Sequence, residues 1–286
     1  MMSSNQFNLQ PMSEVLGARV LGLDLRRSHD ADLAAAMRAA LAEHHVLCVP
    51  AQEIEADDQI RFAQMFGKAN AEFLGKPEKA EYASEDGPDK RGILYISNLR
   101  EDGKAIGALP DGELHFHSDG AHRAKPYRAT TLFAIKVPSR GGETKFANLT
   151  TAWETLSHDL KEQIDGLKVR NVYDTRATLR EQTDASDDKL SNAVHPLVRI
   201  HPDTGRKSLY LSRLMTRSIV GLTPEDSDAL LNELFEHIEK TKFIHAHKWT
   251  PGDLLIWDNR SVNHARSDFP SHEPRHLRRV AVSEPE

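Results

Sequence analysis

The chain has 286 residues, 39% of them hydrophobic and 28% charged, with a formal net charge of −6. That is enough chain to bury a sizeable core, and the mildly acidic balance, without a Lys/Arg-rich run, excludes a nucleic-acid footprint. The lone Cys48 excludes an internal disulfide and a cysteine-built metal site; with no leader-like N-terminus and no long apolar run, the expectation is a soluble, cytoplasmic protein.

In chain order, 17–25 alternates as a strand, and Asp30 to Glu43 is Ala- and Leu-rich and predicts a helix. Val46-Leu-Cys-Val49 reads as a buried strand stopped by Pro50. A second helix is expected from about Ala56 to Phe66, with Gly67 as its stop. Residues 68–92 are rich in Lys, Glu, Asp, Gly and Pro, the composition of a mobile loop or lid. Strands are expected at 93–96, 129–137 and 143–147. A helix capped by Thr150 or Thr151 follows, with Trp153, Leu156, Leu160 and Ile164 on one stripe. A second flexible segment is expected over 171–192. A hairpin is read around His201-Pro-Asp-Thr-Gly205, a helix opens at Thr223-Pro-Glu-Asp, and strands return at 243–249 and 254–257. Many short strands with a few outer helices predict one mainly-β domain over 1–286, a jelly roll with flanking helices.

The chemistry gathers at two places. In His115-Phe-His-Ser-Asp119 an extended backbone puts 115, 117 and 119 on one face, so His117 and Asp119 can hold one metal ion. A second histidine would complete the two-His, one-carboxylate face used by non-haem Fe(II) oxygenases. His264, in a loop after the apolar strand 254–257, is the candidate. His115 is the alternative to His117. Downstream, Arg275 and Arg279 share a face with Leu277, while His276 and Arg278 fall on the other, solvated one. Guanidinium groups facing a barrel interior need anions.

His117-Ser-Asp119, Gly141-Gly-Glu-Thr144, Gly252-Asp-Leu-Leu-Ile-Trp-Asp-Asn259, His264 and Arg275-x-x-x-Arg279 together resemble the taurine dioxygenase and 2,4-dichlorophenoxyacetate dioxygenase family. The likeness covers most of the chain. It implies a double-stranded β-helix core and an Fe(II)- and 2-oxoglutarate-dependent dioxygenase that turns 2-oxoglutarate and O2 into succinate and CO2 while hydroxylating a small organic substrate. By position it implies that His117, Asp119 and His264 hold the iron. Thr144 and Arg275 would bind the distal carboxylate of 2-oxoglutarate, and Arg279 its iron-side carboxylate and an anionic group of the main substrate. It also implies a homodimer or homotetramer. The fork of Arg275 suits a carboxylate, and the Thr144 hydroxyl can add a hydrogen bond.

The departures concern the substrate. Phe116 stands where the resemblance leads one to expect Trp, Glu113 replaces an amide, and 68–80 lacks an obvious His. These argue against taurine and for an aryloxyalkanoate-like or alkyl carboxylate or sulfonate anion, its body lined by Phe116, Leu214 and Met215, with Arg213 nearby. A rival reading uses His245-Ala-His247 followed by Asp253 as the metal site of a cupin-type isomerase, lyase or binding protein.

Overall fold

Alternation along four apolar strands decides the architecture. In the computed structural model, which describes residues 7–69, 92–108, 112–173 and 190–284, these strands are Val46–Val49, Leu254–Asp258, Ala129–Lys136 and His276–Ser283, neighbours in that order. They form the centre of an eight-stranded sheet. Leu47, Val49, Leu254, Ile256, Val280 and Val282 point outward and are covered by Leu33, Met37, Leu41, Phe62 and Phe66. Those residues belong to the helices Ala31–His44 and Ala56–Gln64. Val46, Cys48, Leu132, Ala134, Leu255, Trp257 and Leu277 point inward and meet Phe146 and Val262. The last two lie on a facing four-stranded sheet, ordered Ile244–His247, Thr144–Asn148, Val262–Arg266 and Leu114–His117. Two sheets closed face to face on one apolar layer are the expected jelly roll. The inward row of His276–Ser283 carries Arg279 between Leu277 and Ala281, opposite Leu132 and Thr130 of the neighbouring strand. Polar groups are thereby placed inside the barrel.

Pro224–Ile238 forms where the pattern predicts, with Thr223 accepting from the Asp226 amide as N-cap. Its Leu230, Leu231, Leu234 and Ile238 pack outside the barrel against Leu149, Ala152, Val169 and Leu209. Elsewhere the structure differs. The single helix expected after Thr150 is two, Leu149–Glu154 and His158–Gln163, capped by Asn148 and Ser157. A serine hydroxyl that accepts the Leu160 amide offers the backbone a fresh N-terminus, so the apolar stripe continues across a break. The expected lid overlaps the short strand Lys68–Ala69, and its remainder to residue 91 lies outside the described residues. Most of 171–192 does too, although Lys168–Tyr173 is strand. His264 sits within the strand Val262–Arg266, not in a loop. Arg278 is buried rather than solvated. Its Nε donates to Gln59 at 2.8 Å and Nη2 to the Ile54 carbonyl at 3.0 Å, because the second helix covers that face. His276 on the same face is half-buried, stacked on Tyr95 and bonded to Ser97. Among the described residues no helix is long and apolar enough to cross a membrane.

Candidate active site

Strand register delivers the histidines. His264 pairs with His117 on the neighbouring strand and with Phe146 on the other side, so both rings face the barrel interior, their centroids 4.1 Å apart. Asp119 lies two residues past the strand Leu114–His117, and the turn brings its carboxylate back to both. His117 Nε2 is 3.8 Å from Oδ1 and His264 Nε2 is 3.9 Å from Oδ2. One ligand atom from each of His117, Asp119 and His264 lies within 4.8 Å of the others. His115, the alternative, is not part of this group; its carbonyl accepts from, or orients, His117 Nδ1 at 2.9 Å.

The protonation states suit a divalent cation. Burial lowers the pKa of His117, and takes His264 down to about 3, so both rings are neutral. Burial alone would raise the Asp119 pKa. Arg279, the two histidines and the Thr130 hydroxyl outweigh it, and the carboxyl stays ionised well below the usual range. Arg279 Nη2 is 3.1 Å from Asp119 Oδ2, and Thr130 Oγ1 donates to the same oxygen at 2.6 Å. Behind them Asn259 donates to Thr130 at 3.0 Å and accepts from the Trp257 indole at 3.0 Å. Such a chain fixes the carboxylate before any ion arrives. Thr130 and Asn259 were not singled out in the sequence. The signal was an inward polar residue in an otherwise apolar strand and the Asn that ends the Trp257-Asp-Asn run.

Arg275 enters from just before His276–Ser283 and is 2% exposed. Its Nε and Nη2 donate to the Gly142 carbonyl at 3.3 and 3.2 Å, and among the described residues no carboxylate pairs with it. Burial, then the field of Arg266, brings its pKa down to about 9, so it remains a cation at neutral pH. Gly142 has φ +69°, and a Cβ there would stand 3.1 Å from Arg275 Nε; only glycine admits the guanidinium this closely. Thr144, also buried, accepts from the Trp249 indole at 3.0 Å.

Ala121, Tyr210 and Met215 form a small apolar cluster with Leu214 against it. The Leu214 amide donates to the Phe116 carbonyl at 3.2 Å. Arg213 turns away to Glu239 at 3.1 Å, and Glu113 is exposed, 4.0 Å from Lys145. Neither has the pocket role its position suggested. His245 and His247 share the inner face, but only His247 joins a ligand group, with Asp253 and Cys48. That brings Cys48 into a cluster that the lone cysteine seemed to exclude. Burial pushes its thiol up to about 12, while His247 and the Thr250 amide both bond Asp253 Oδ2, which ties down the turn before Leu254–Asp258.

The family described as "Taurine catabolism dioxygenase TauD, TfdA family" matches residues 8–281. The chain belongs to that family. It is a 2-oxoglutarate-dependent dioxygenase, a class that uses Fe(II), 2-oxoglutarate and O2. It is 32% identical to pentalenolactone F synthase of Streptomyces arenae, over 94% of this chain and 91% of that one. It is also 32% identical to an (S)-phenoxypropionate/alpha-ketoglutarate-dioxygenase of Sphingobium herbicidovorans, over 91% and 89%. Among solved structures it is similar to AAD-2 in complex with Mn(II) and N-oxalylglycine, with a TM-score of 0.81, 28% identity and 98% of each chain covered.

Proposed function

We propose that this chain, as a single domain, hydroxylates a small organic anion, with His117, Asp119 and His264 as the Fe(II) ligands. The observation that carries the reading is the convergence of two neutral imidazoles and one ionised carboxylate, buried and within 4.8 Å of one another. Three protein ligands on one side leave room for a bidentate 2-oxo acid and dioxygen. Bound there, the metal supplies the oxidative decarboxylation of 2-oxoglutarate to succinate and CO2 that is coupled to substrate hydroxylation.

The chain's own groups do the rest. Arg275, buried and without a carboxylate partner among the described residues, and the Thr144 hydroxyl receive the distal carboxylate. Its binding offsets the cost of the buried cation. Arg279, joined to Asp119, orients that ligand and presents positive charge on the metal side of the pocket to the co-substrate and to the main substrate. Phe116, Leu214 and Met215 offer an apolar wall to the substrate body, which favours an aryl or alkyl chain carrying a carboxylate or sulfonate. The (S)-phenoxypropionate named for one relative is of that kind.

Anaerobic Fe(II) and 2-oxoglutarate binding, followed by a screen for substrate-stimulated succinate release, tests the reading. Each active anion is compared with its neutral amide or ester. Anions are expected to stimulate turnover and the neutral analogues to fail. Equal stimulation by both would remove Arg279 as a selector of charge, and iron binding that survives His264→Ala would remove the triad.

A further inference from the structure

The turn 259–261 joins the central strand Leu254–Asp258 to Val262–Arg266, the strand that carries His264. It also holds the loop of Asp119. The Asn259 carbonyl accepts from the Ser118 hydroxyl at 2.7 Å, and its Oδ1 accepts from the Asp119 amide at 3.4 Å. Its Nδ2 donates to Thr130, whose hydroxyl bonds the Asp119 carboxylate. Asn259 is in turn fixed by the residues on either side of it. Arg260 Nε and Nη2 grip the Asp258 carboxylate at 2.8 and 2.6 Å, and the Arg260 amide donates to Asp258 Oδ1 at 2.9 Å, which closes the turn across Asn259. The same guanidinium reaches Asp203 at 2.9 Å and Glu284 at 3.0 Å. Arg128 bonds those two carboxylates at 2.8 and 3.1 Å, and its carbonyl accepts from the Asn259 amide at 2.9 Å. Asp258, Arg260 and Arg128 are buried, and Glu284 is half-exposed.

The geometry points to Arg260 as a positioning residue for the metal centre: by closing the turn 259–261 and tying it to Asp203 and Glu284, it holds Asn259 where Asn259 sets Asp119. The inference rests on the reading of Asp119 as an Fe(II) ligand. Stability is a poor reason for such an arrangement, because the desolvation of a buried ion pair offsets most of its attraction. Geometry is a better one. A planar guanidinium forked onto a carboxylate has a narrow range of good orientations, so Asp258 and Arg260 leave the backbone between them little freedom. A metal site needs that precision, since the groups bonded behind a ligand set its orientation and with it the affinity for the ion. Were the turn to relax, two ligands would loosen together: Asp119 is bonded to it, and the strand of His264 starts from it.

Arg260→Lys keeps the charge and loses the fork. Titration of the folded variant with Mn(II) against a chelator should show the Kd raised about tenfold, with urea unfolding measured alongside. A purely structural role would lower the unfolding midpoint and leave the Mn(II) Kd within about twofold, because the Kd is read on folded molecules; that result overturns the inference. A double-mutant cycle tests the route. Asn259→Ala removes the side chain through which Arg260 acts, so adding Arg260→Lys to it should cost less Mn(II) affinity than Arg260→Lys costs alone. Equal losses in the two backgrounds would refute the route through Asn259. Asp119→Ala serves as the control. If it binds Mn(II) as tightly as the unmutated protein, the reading of the metal ligands falls and takes this inference with it. If it loses Mn(II) while Arg260→Lys binds normally, only the inference about Arg260 falls. Should Arg260→Lys fail to fold, Glu284→Gln, at the half-exposed end of the network, decides by the same titration: a Kd raised about threefold supports the inference, and an unchanged one overturns it.

Discussion

Replacing Arg275 by Met separates a binding cation from a structural one, because the two roles predict opposite signs. In the free protein the guanidinium is buried, and among the described residues the Gly142 carbonyl is its hydrogen-bond partner. The fall of its pKa from 12.5 to about 9 corresponds to roughly 5 kcal/mol of cost to the charged form. The two hydrogen bonds to Gly142 return about 1 kcal/mol each, leaving a net cost of order 2–3 kcal/mol. Methionine is unbranched and apolar and can fill much of the same channel along Phe269. The ligand-free variant should therefore melt several degrees higher than the unmutated protein, at about 2–4 °C per kcal/mol. With 2-oxoglutarate the sign reverses. Losing the partner of a buried carboxylate costs about 2–5 kcal/mol, so the KM for 2-oxoglutarate should rise roughly 30- to 4000-fold. Differential scanning calorimetry of the free protein and succinate-release kinetics measure the two arms. A variant that melts lower yet keeps its KM would refute the reasoning and make Arg275 a structural residue.

His264→Ala and Asp119→Ala should both abolish iron-dependent turnover, but only the second also removes the carboxylate 3.1 Å from the buried Arg279; it should be the less stable of the two in urea unfolding, and equal stabilities would contradict that ion pair. Thr130→Val removes the 2.6 Å hydrogen bond to Asp119 and should weaken metal affinity by about 10- to 100-fold, read by titration against a chelator, with the fold intact by circular dichroism. Buried His45 titrates at about 4 rather than 6.5. The unfolded chain therefore binds the extra proton first, and stability falls as pH drops from 6.5 toward 4, by about 3 kcal/mol at pH 4 from this group. His45→Asn tolerates the left-handed φ of 66° and should flatten the melting temperature against pH over that window; an unchanged slope would exonerate His45. Arg278→Leu should lower stability, because it leaves Gln59 Oε1 and the Ile54 carbonyl short of donors under the second helix, while KM for 2-oxoglutarate stays as it was.

What the sequence determined by itself was whatever depends on local period and residue chemistry. The continuous apolar runs in Val46–Val49 and Leu254–Asp258 mark strands buried on both faces, and the cap at Thr223 marks where a helix begins. The order of His117, Asp119, His264, Thr144, Arg275 and Arg279 along the chain carried the family and the reaction class, because the chemistry needs those groups and few others. Other features only the tertiary structure decided, because they arise between segments far apart in the chain. Alternation told Arg278 from Arg279 by face but could not say that a helix covers the outer one, so Arg278 read as solvated. Arg213 and Glu113 are close in sequence to pocket residues yet turn to Glu239 and Lys145. Thr130 and Asn259 gain their meaning from register: a side chain's partner across a sheet is set by how two strands align, and nothing within either strand states that alignment.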